Sequence, residues 1–253
     1  MLMSTVTVCD RERNRHAMKK QSIFIIMALN LMVTPAYAHH LWVSAGDGVY
    51  TVHRGIVMER IDGYNPECVE QIAAYGEDGG KIRVERINEP EQVIFKTDIP
   101  AAGVTVVSRW GDRVNTTRGK KLISRKEAEK LGLTVISAFS STQFSRTLFA
   151  PSVLNQKPVG MKFEIVPLSD PTKSDPDEPI AFKLLFGGQP LSGTSIFTHD
   201  DRKYKTDARG VASIVFEKSG LNLLYAKHQT PPEKDSTLDY LKFMTFLLFE
   251  VKK

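Results

Sequence analysis

The chain has 253 residues, 42% of them hydrophobic and 25% charged, with two cysteines and a formal charge of +5. That length suffices for one large or two small domains with real cores. The first 38 residues hold five Lys/Arg and two Asp/Glu, so the remaining 215 carry 29 positive and 27 negative side chains, or +2. So slight an excess argues against a nucleic-acid partner.

The first element is a leader. Met18-Lys19-Lys20 opens it, an apolar run from Ser22 to Thr34 follows, and Pro35 precedes Ala36-x-Ala38. This is the pattern of a secretory signal peptide cut after Ala38, with Met18 as the start and residues 1–17 as an extension. The run is broken by Asn30 and is shorter than the ~20 residues a membrane helix needs, so no membrane anchor is expected and the mature protein is placed in the periplasm. Cys9 lies in the leader, which leaves Cys68 without an internal disulfide partner. Cys68 is expected as a small buried apolar residue, with a soft metal ligand as the other reading.

From His39 to Val166 the pattern is β. "LWVSA", "GVYTVHRGI", "VEQIAAYG", "KIRVERI", "QVIFKTD" and "GVTVVSRW" are short runs rich in Val, Ile and Tyr, separated by turns such as Gly76–Gly80 and Asn88-Glu89-Pro90. "KIRVERI" alternates as one strand with Ile82, Val84 and Arg86 on one face. Ser124 and Glu127 form a capping box ahead of "KEAEKLGL", which predicts one short helix with Gly132 at its C-terminus. Residues 167–179 hold four prolines among acidic residues and read as a linker. From 180 to 253 the β rhythm returns in "IAFKLLF", "TSIFT", "KYKTD", "VASIVFE", "LNLLYAKH" and "FMTFLLFEV". The last run is too short for a membrane span and is expected as a buried strand. The fold class is therefore mostly β: two β-sandwich-like units, 39–166 and 180–253, with one short helix.

Cleavage after Ala38 makes His39 the first residue. Its α-amine, with an ordinary pKa near ~8, gives up its proton to a metal far more readily than a lysine does. His39 can then chelate through amine and imidazole, with a distant histidine completing a T-shaped brace. In a second arrangement the amine of His39, the amide and imidazole of His40 and a distant histidine form a square plane. Such nitrogen-rich sets favour Cu(II) or Ni(II). The other histidines of the mature chain are His53, His199 and His228. His199, beside Asp200-Asp201, is expected in a solvated turn, whereas His53 and His228 lie in β runs.

Ala38-His39-His40-Leu41-Trp42, His53-Arg54-Gly55, Tyr64-Asn65-Pro66-Glu67 and "FEIVPLSDP" (163–171) occur in an order that resembles a family of bacterial periplasmic proteins associated with nickel/cobalt uptake, long described only as a domain of unknown function. "GGQPLSG", "TDARG" and "LLYAKH" resemble its C-terminal part and the prealbumin-like sandwich. The resemblance implies a soluble carrier that binds a transition metal, nickel or cobalt, and passes it to a membrane metal permease. It implies a metal site at His39 with His53 and His228 as favoured partners, His40 being the further candidate ligand from the residues themselves. Arg54 departs from the pattern by separating His53 from Gly55.

A periplasmic copper carrier is the second reading, because copper outcompetes nickel on equal nitrogen ligands. A metal-free adhesion or carbohydrate-binding sandwich is the third. No enzyme is expected: G-x-S-x-G, H-E-x-x-H and the P-loop are all missing. Glu164, a carboxylate in an apolar strand, is expected to tie the two halves together by a hydrogen bond or ion pair. Trp42 is expected in the core. With Trp110 it could instead offer a carbohydrate surface.

Overall fold

The computed structural model describes residues 39–252, and the signal-peptide reading of 1–38 lies outside the described residues. Short Val/Ile/aromatic runs become strands throughout. They are β1 (His40–Gly46), β2 (Val49–Ile56), β3 (Arg60–Asp62), β4 (Val69–Tyr75), β5 (Lys81–Ile82), β6 (Val84–Glu89), β7 (Gln92–Thr97), β8 (Gly103–Thr116) and β9 (Gly119–Lys121). Helix α1 (Arg125–Lys130) precedes β10 (Val135–Leu148). The second half contributes β11 (Phe163–Pro167), β12 (Pro179–Phe186), β13 (Gln189–Pro190), β14 (Ser195–Thr198), β15 (Lys203–Lys205), β16 (Val211–Val215), β17 (Gly220–Thr230) and β18 (Tyr240–Val251).

Three sheets result. The first has the order β1-β2-β7-β6 with β3 on β2. The second is nine-stranded, β15-β14-β17-β18-β10-β8-β4-β5 with β9 on β8; the third is β11-β12-β13 with β16 on β12. The nine-stranded sheet contains strands from both sides of residues 167–179, joined where β10 and β18 pair in parallel. That proline-rich stretch closes β11, makes a 3-10 turn at Pro171–Lys173 capped by Asp170, and opens β12. All described residues fall within one compact unit.

The large sheet is a wall shared by two cores. Along β17, Leu223 and Tyr225 face a core with the first sheet, while Leu224 and Ala226 face a core with the third. On β18, Met244, Phe246 and Leu248 alternate with Phe243, Leu247 and Phe249 in the same way. Strands buried on both faces read as continuous apolar runs, which is why "FMTFLLFEV" resembles a membrane tail. None of the described helices is long and apolar enough to cross a membrane.

The first sheet meets this wall edge-on through β1. An edge strand needs partners for its outward N–H and C=O groups. Here side chains of β10 supply them: Thr147 Oγ1 accepts from Val43 N–H at 3.1 Å, and Ser145 Oγ donates to the Leu41 carbonyl at 2.7 Å. Leu41, Trp42 and Val43 are all buried, so β1 is embedded on both faces.

Three local expectations can be compared with the structure. "KIRVERI" is two strands in different sheets, Lys81–Ile82 on β4 and Val84–Glu89 on β7. The capping box at Ser124 is present and Gly132 adopts a positive φ just beyond the helix, as expected. Glu164 is buried and accepts from Val159 N–H at 3.0 Å, so it fixes the loop before β11 by a hydrogen bond.

Candidate functional site

The site is built where β1 begins. Gly55 of β2 pairs with His40, and Gly55 alone permits the turn into β3: its φ is +153°, and a Cβ there would lie 2.0 Å from the Arg60 carbonyl oxygen. The tight return places Asp62 opposite Arg54. Asp62 then takes two partners. His39 Nε2 lies 2.9 Å from Asp62 Oδ2, and Arg60 Nε lies 2.8 Å from Oδ1. The His39 ring is 37% exposed. Burial, and then the charge of Arg54, hold its pKa below the ordinary value, against the pull of Asp62.

His40 points the other way, into the shared wall. It is 3% exposed, with its ring 5.5 Å from Tyr225 and 5.9 Å from Phe246. Its Nδ1 accepts from Val57 N–H at 3.2 Å. Burial pushes its pKa down to about 4. In the neutral ring an accepting Nδ1 leaves the proton on Nε2, so binding a metal would break this arrangement. The residues thus fit the clamp at His39 better than the square plane through His40.

The distant histidines are not gathered. His53 pairs with Trp42, packs against its ring at a tilt with centroids 5.3 Å apart, and shares a 2.7 Å hydrogen bond with Ser44 Oγ, on the face of β2 opposite to Arg54. Burial lowers its pKa. His228 lies on the face of β17 opposite to Tyr225, with its ring 4.5 Å from Phe186. His199, set aside from the sequence as a solvated turn residue, sits nearer to the point. Its charge and that of Asp201 both act on His40, and Asp201 Oδ1 accepts from the Tyr225 hydroxyl at 2.6 Å. Among the described residues no three His, Cys, Asp or Glu side chains converge as a metal cage. The His39 ring is the side-chain donor available, oriented through Nε2 by Asp62, and a free α-amine on His39 would be a second donor.

Sequence reasoning missed Asp62, Arg54 and Arg113. Arg54 lies 4.7 Å over the Trp110 ring, which is buried in the core rather than offered to a carbohydrate; Trp42 is buried likewise. Burial lowers the pKa of both Arg54 and Arg113, and Arg113 opposes Arg54 further. Cys68 is half-buried near both arginines, and burial raises its pKa despite them. No motif announces this group, because its members come from β2, β3 and β8 and meet only through sheet register.

A mostly β protein of stacked sheets with one short helix, and with a histidine-carboxylate pair at the start of its first strand, is the class these observations define. The family model described as a domain of unknown function, DUF4198, matches residues 36–230, well over half of the chain, and the chain belongs to that family. No curated protein matches it. Among solved structures, the D0-D1 domain of intimin is similar at 16% identity over 82% of this chain and 92% of that chain, with a TM-score of 0.23. A likeness that low carries no argument here.

Proposed function

We propose that the protein is a periplasmic transition-metal carrier, binding nickel or cobalt through the mature N-terminus at His39 and delivering the ion to a membrane permease. The observation that supports this reading is the placement of His39. It is the only histidine of the first pair left partly exposed, it is biased towards the neutral ring that a metal requires, and a carboxylate stands 2.9 Å away. The terminal amine and ring Nδ1 of His39 can close one chelate ring, while Asp62 holds the proton on Nε2 and leaves Nδ1 free for the ion. The choice of nickel or cobalt rests on the family resemblance, since nitrogen donors by themselves favour copper. No catalytic step belongs to this reading.

Titration of Ni(II) into protein beginning at His39 tests it. Both His39→Ala and Asp62→Asn should weaken binding, by about tenfold or more for the histidine. Unchanged affinity in both would remove the proposal. A metal-free carbohydrate-binding role has one observation in its favour. A groove of about 480 Å³ on the outer face of β8 and β10 is lined by polar and aromatic groups including Glu70, Arg109, Thr142, Lys162 and Phe243. Glycan binding that survives His39→Ala would favour that reading.

A further inference from the structure

The start of β1 lies beside an uncompensated concentration of positive charge. Gln143 of β10 reaches the His39 carbonyl at 3.5 Å, so β1 begins above the middle of β10. Beyond that point, strand pairing puts Arg113 of β8, opposite Phe139, and Lys242 of β18, opposite Ser141, on the wall face that β1 covers. Lys227 of β17 shares that face with Tyr225. Lys120 of β9 reaches it, with its Nζ 5.9 Å from the Phe139 ring, as does that of Lys242. Arg54 comes down from the first sheet onto Trp110.

Among the described residues, none of these five cations forms an ion pair within 4 Å. The acids nearest by charge are engaged elsewhere: Asp62 holds Arg60 and His39, and Asp201 takes the Tyr225 hydroxyl. The cations oppose one another. Burial, followed by Lys120, Lys227 and Arg113, brings the Lys242 pKa down to about 8. Three buried donors here also lack an acceptor among the described residues: Arg54 Nε, Arg113 Nε and Trp110 Nε1. Trp110 is 5% exposed. Native proteins rarely leave half-buried guanidinium groups and a buried indole N–H unpaired, because each forfeits solvation without return. An anion in the basin would satisfy both the charge and these donors.

We propose that this basin binds a small polycarboxylate, and that a metal ion reaches His39 as the complex of such an acid. The second half rests on the metal reading above; the first does not. Arginine forks match carboxylates in geometry and charge, and five cations spread over four strands call for a ligand with two or more negative groups. The same basin disfavours a bare divalent cation beside His39. One imidazole and an amine leave a six-coordinate ion short of ligands, and a polycarboxylate would supply the rest while its free arms pair with Arg54 and Arg113.

Calorimetric titrations of the His39-initiated protein with citrate, Ni(II) and Ni(II)–citrate separate the sources. Citrate alone should bind, and Ni(II)–citrate should bind about tenfold or more tightly than either component. Arg113→Gln, and independently Lys120→Gln at an exposed site, should weaken citrate and Ni(II)–citrate, by about tenfold for the arginine, without weakening Ni(II) alone. His39→Ala should weaken Ni(II) and spare citrate. Citrate and Ni(II)–citrate affinities unchanged within twofold in both charge variants, with the fold intact by circular dichroism, would overturn the basin even if Ni(II) binding stands. Loss of all Ni(II) binding with citrate binding retained would instead overturn the metal half and leave the polycarboxylate half supported.

Discussion

Tyr64→Phe removes a single oxygen that does two jobs. The Tyr64 hydroxyl donates to the Val52 carbonyl at 2.8 Å and accepts from Val93 N–H at 3.0 Å. Val52 and Val93 are register partners at the end of the β2–β7 ladder, and both are fully buried. The hydroxyl therefore continues the ladder by one rung where the backbones diverge, and burial raises its pKa to about 12. Phenylalanine keeps the ring against Trp110, 5.7 Å away, but strands one buried acceptor and one buried donor. At about 1–3 kcal/mol for each unsatisfied group, with partial relief from relaxation, the loss should be about 2–4 kcal/mol. Urea unfolding of the metal-free protein at pH 7 measures it as a lower midpoint with an unchanged slope. Hydrogen exchange at the Val93 amide should accelerate in the variant. A loss below about 0.5 kcal/mol would refute the reasoning, because it would mean that water already reaches this rung.

Gly55→Ala should destabilise by about 3 kcal/mol or more, since the new Cβ would meet backbone rather than a yielding side chain, and thermal unfolding checks it. Thr147→Val keeps shape but leaves the Val43 N–H of the edge strand without its acceptor; about 1–2 kcal/mol should be lost in urea unfolding. His40 makes stability pH-dependent in the metal-free protein. Its folded pKa, about 4, lies below the unfolded value of 6.5, so its contribution is complete above about pH 6.5 and is lost as pH falls towards 4. The full span is about 3 kcal/mol. His40→Asn abolishes that titration, so the stability gap between wild type and variant should narrow from pH 7 to pH 4. A gap independent of pH would contradict it.

The legible parts of the fold are those where one residue type signals one geometry. The capping box at Ser124 and the closing run on β18 are where the pattern puts them. Tyr64-Asn65-Pro66-Glu67 turns out to be the β2–β7 staple followed by an Asn-capped 3-10 turn. β10 was not legible. Its Ser141, Gln143, Ser145 and Thr147 look like solvent-facing residues, yet all four are buried, and the last three partner the backbone of His39 and β1, whose edge needs hydroxyl and amide groups. The site was half legible. A histidine pair behind an expected cleavage point can be read from the chain, but the Asp62 contact and the Arg54–Arg113 group depend on register across three strands. His228 was misleading for the complementary reason. Its strand was evident from sequence, but which face its ring takes was not.

The central claim is that the terminal amine of His39 binds metal. Ni(II) affinity measured side by side for protein beginning at His39 and for the same protein with its terminal amine acetylated tests this most directly. Acetylation should weaken binding by about tenfold or more, since it turns the basic amine into an amide and adds no new ligand. Equal affinity in the two proteins would contradict it.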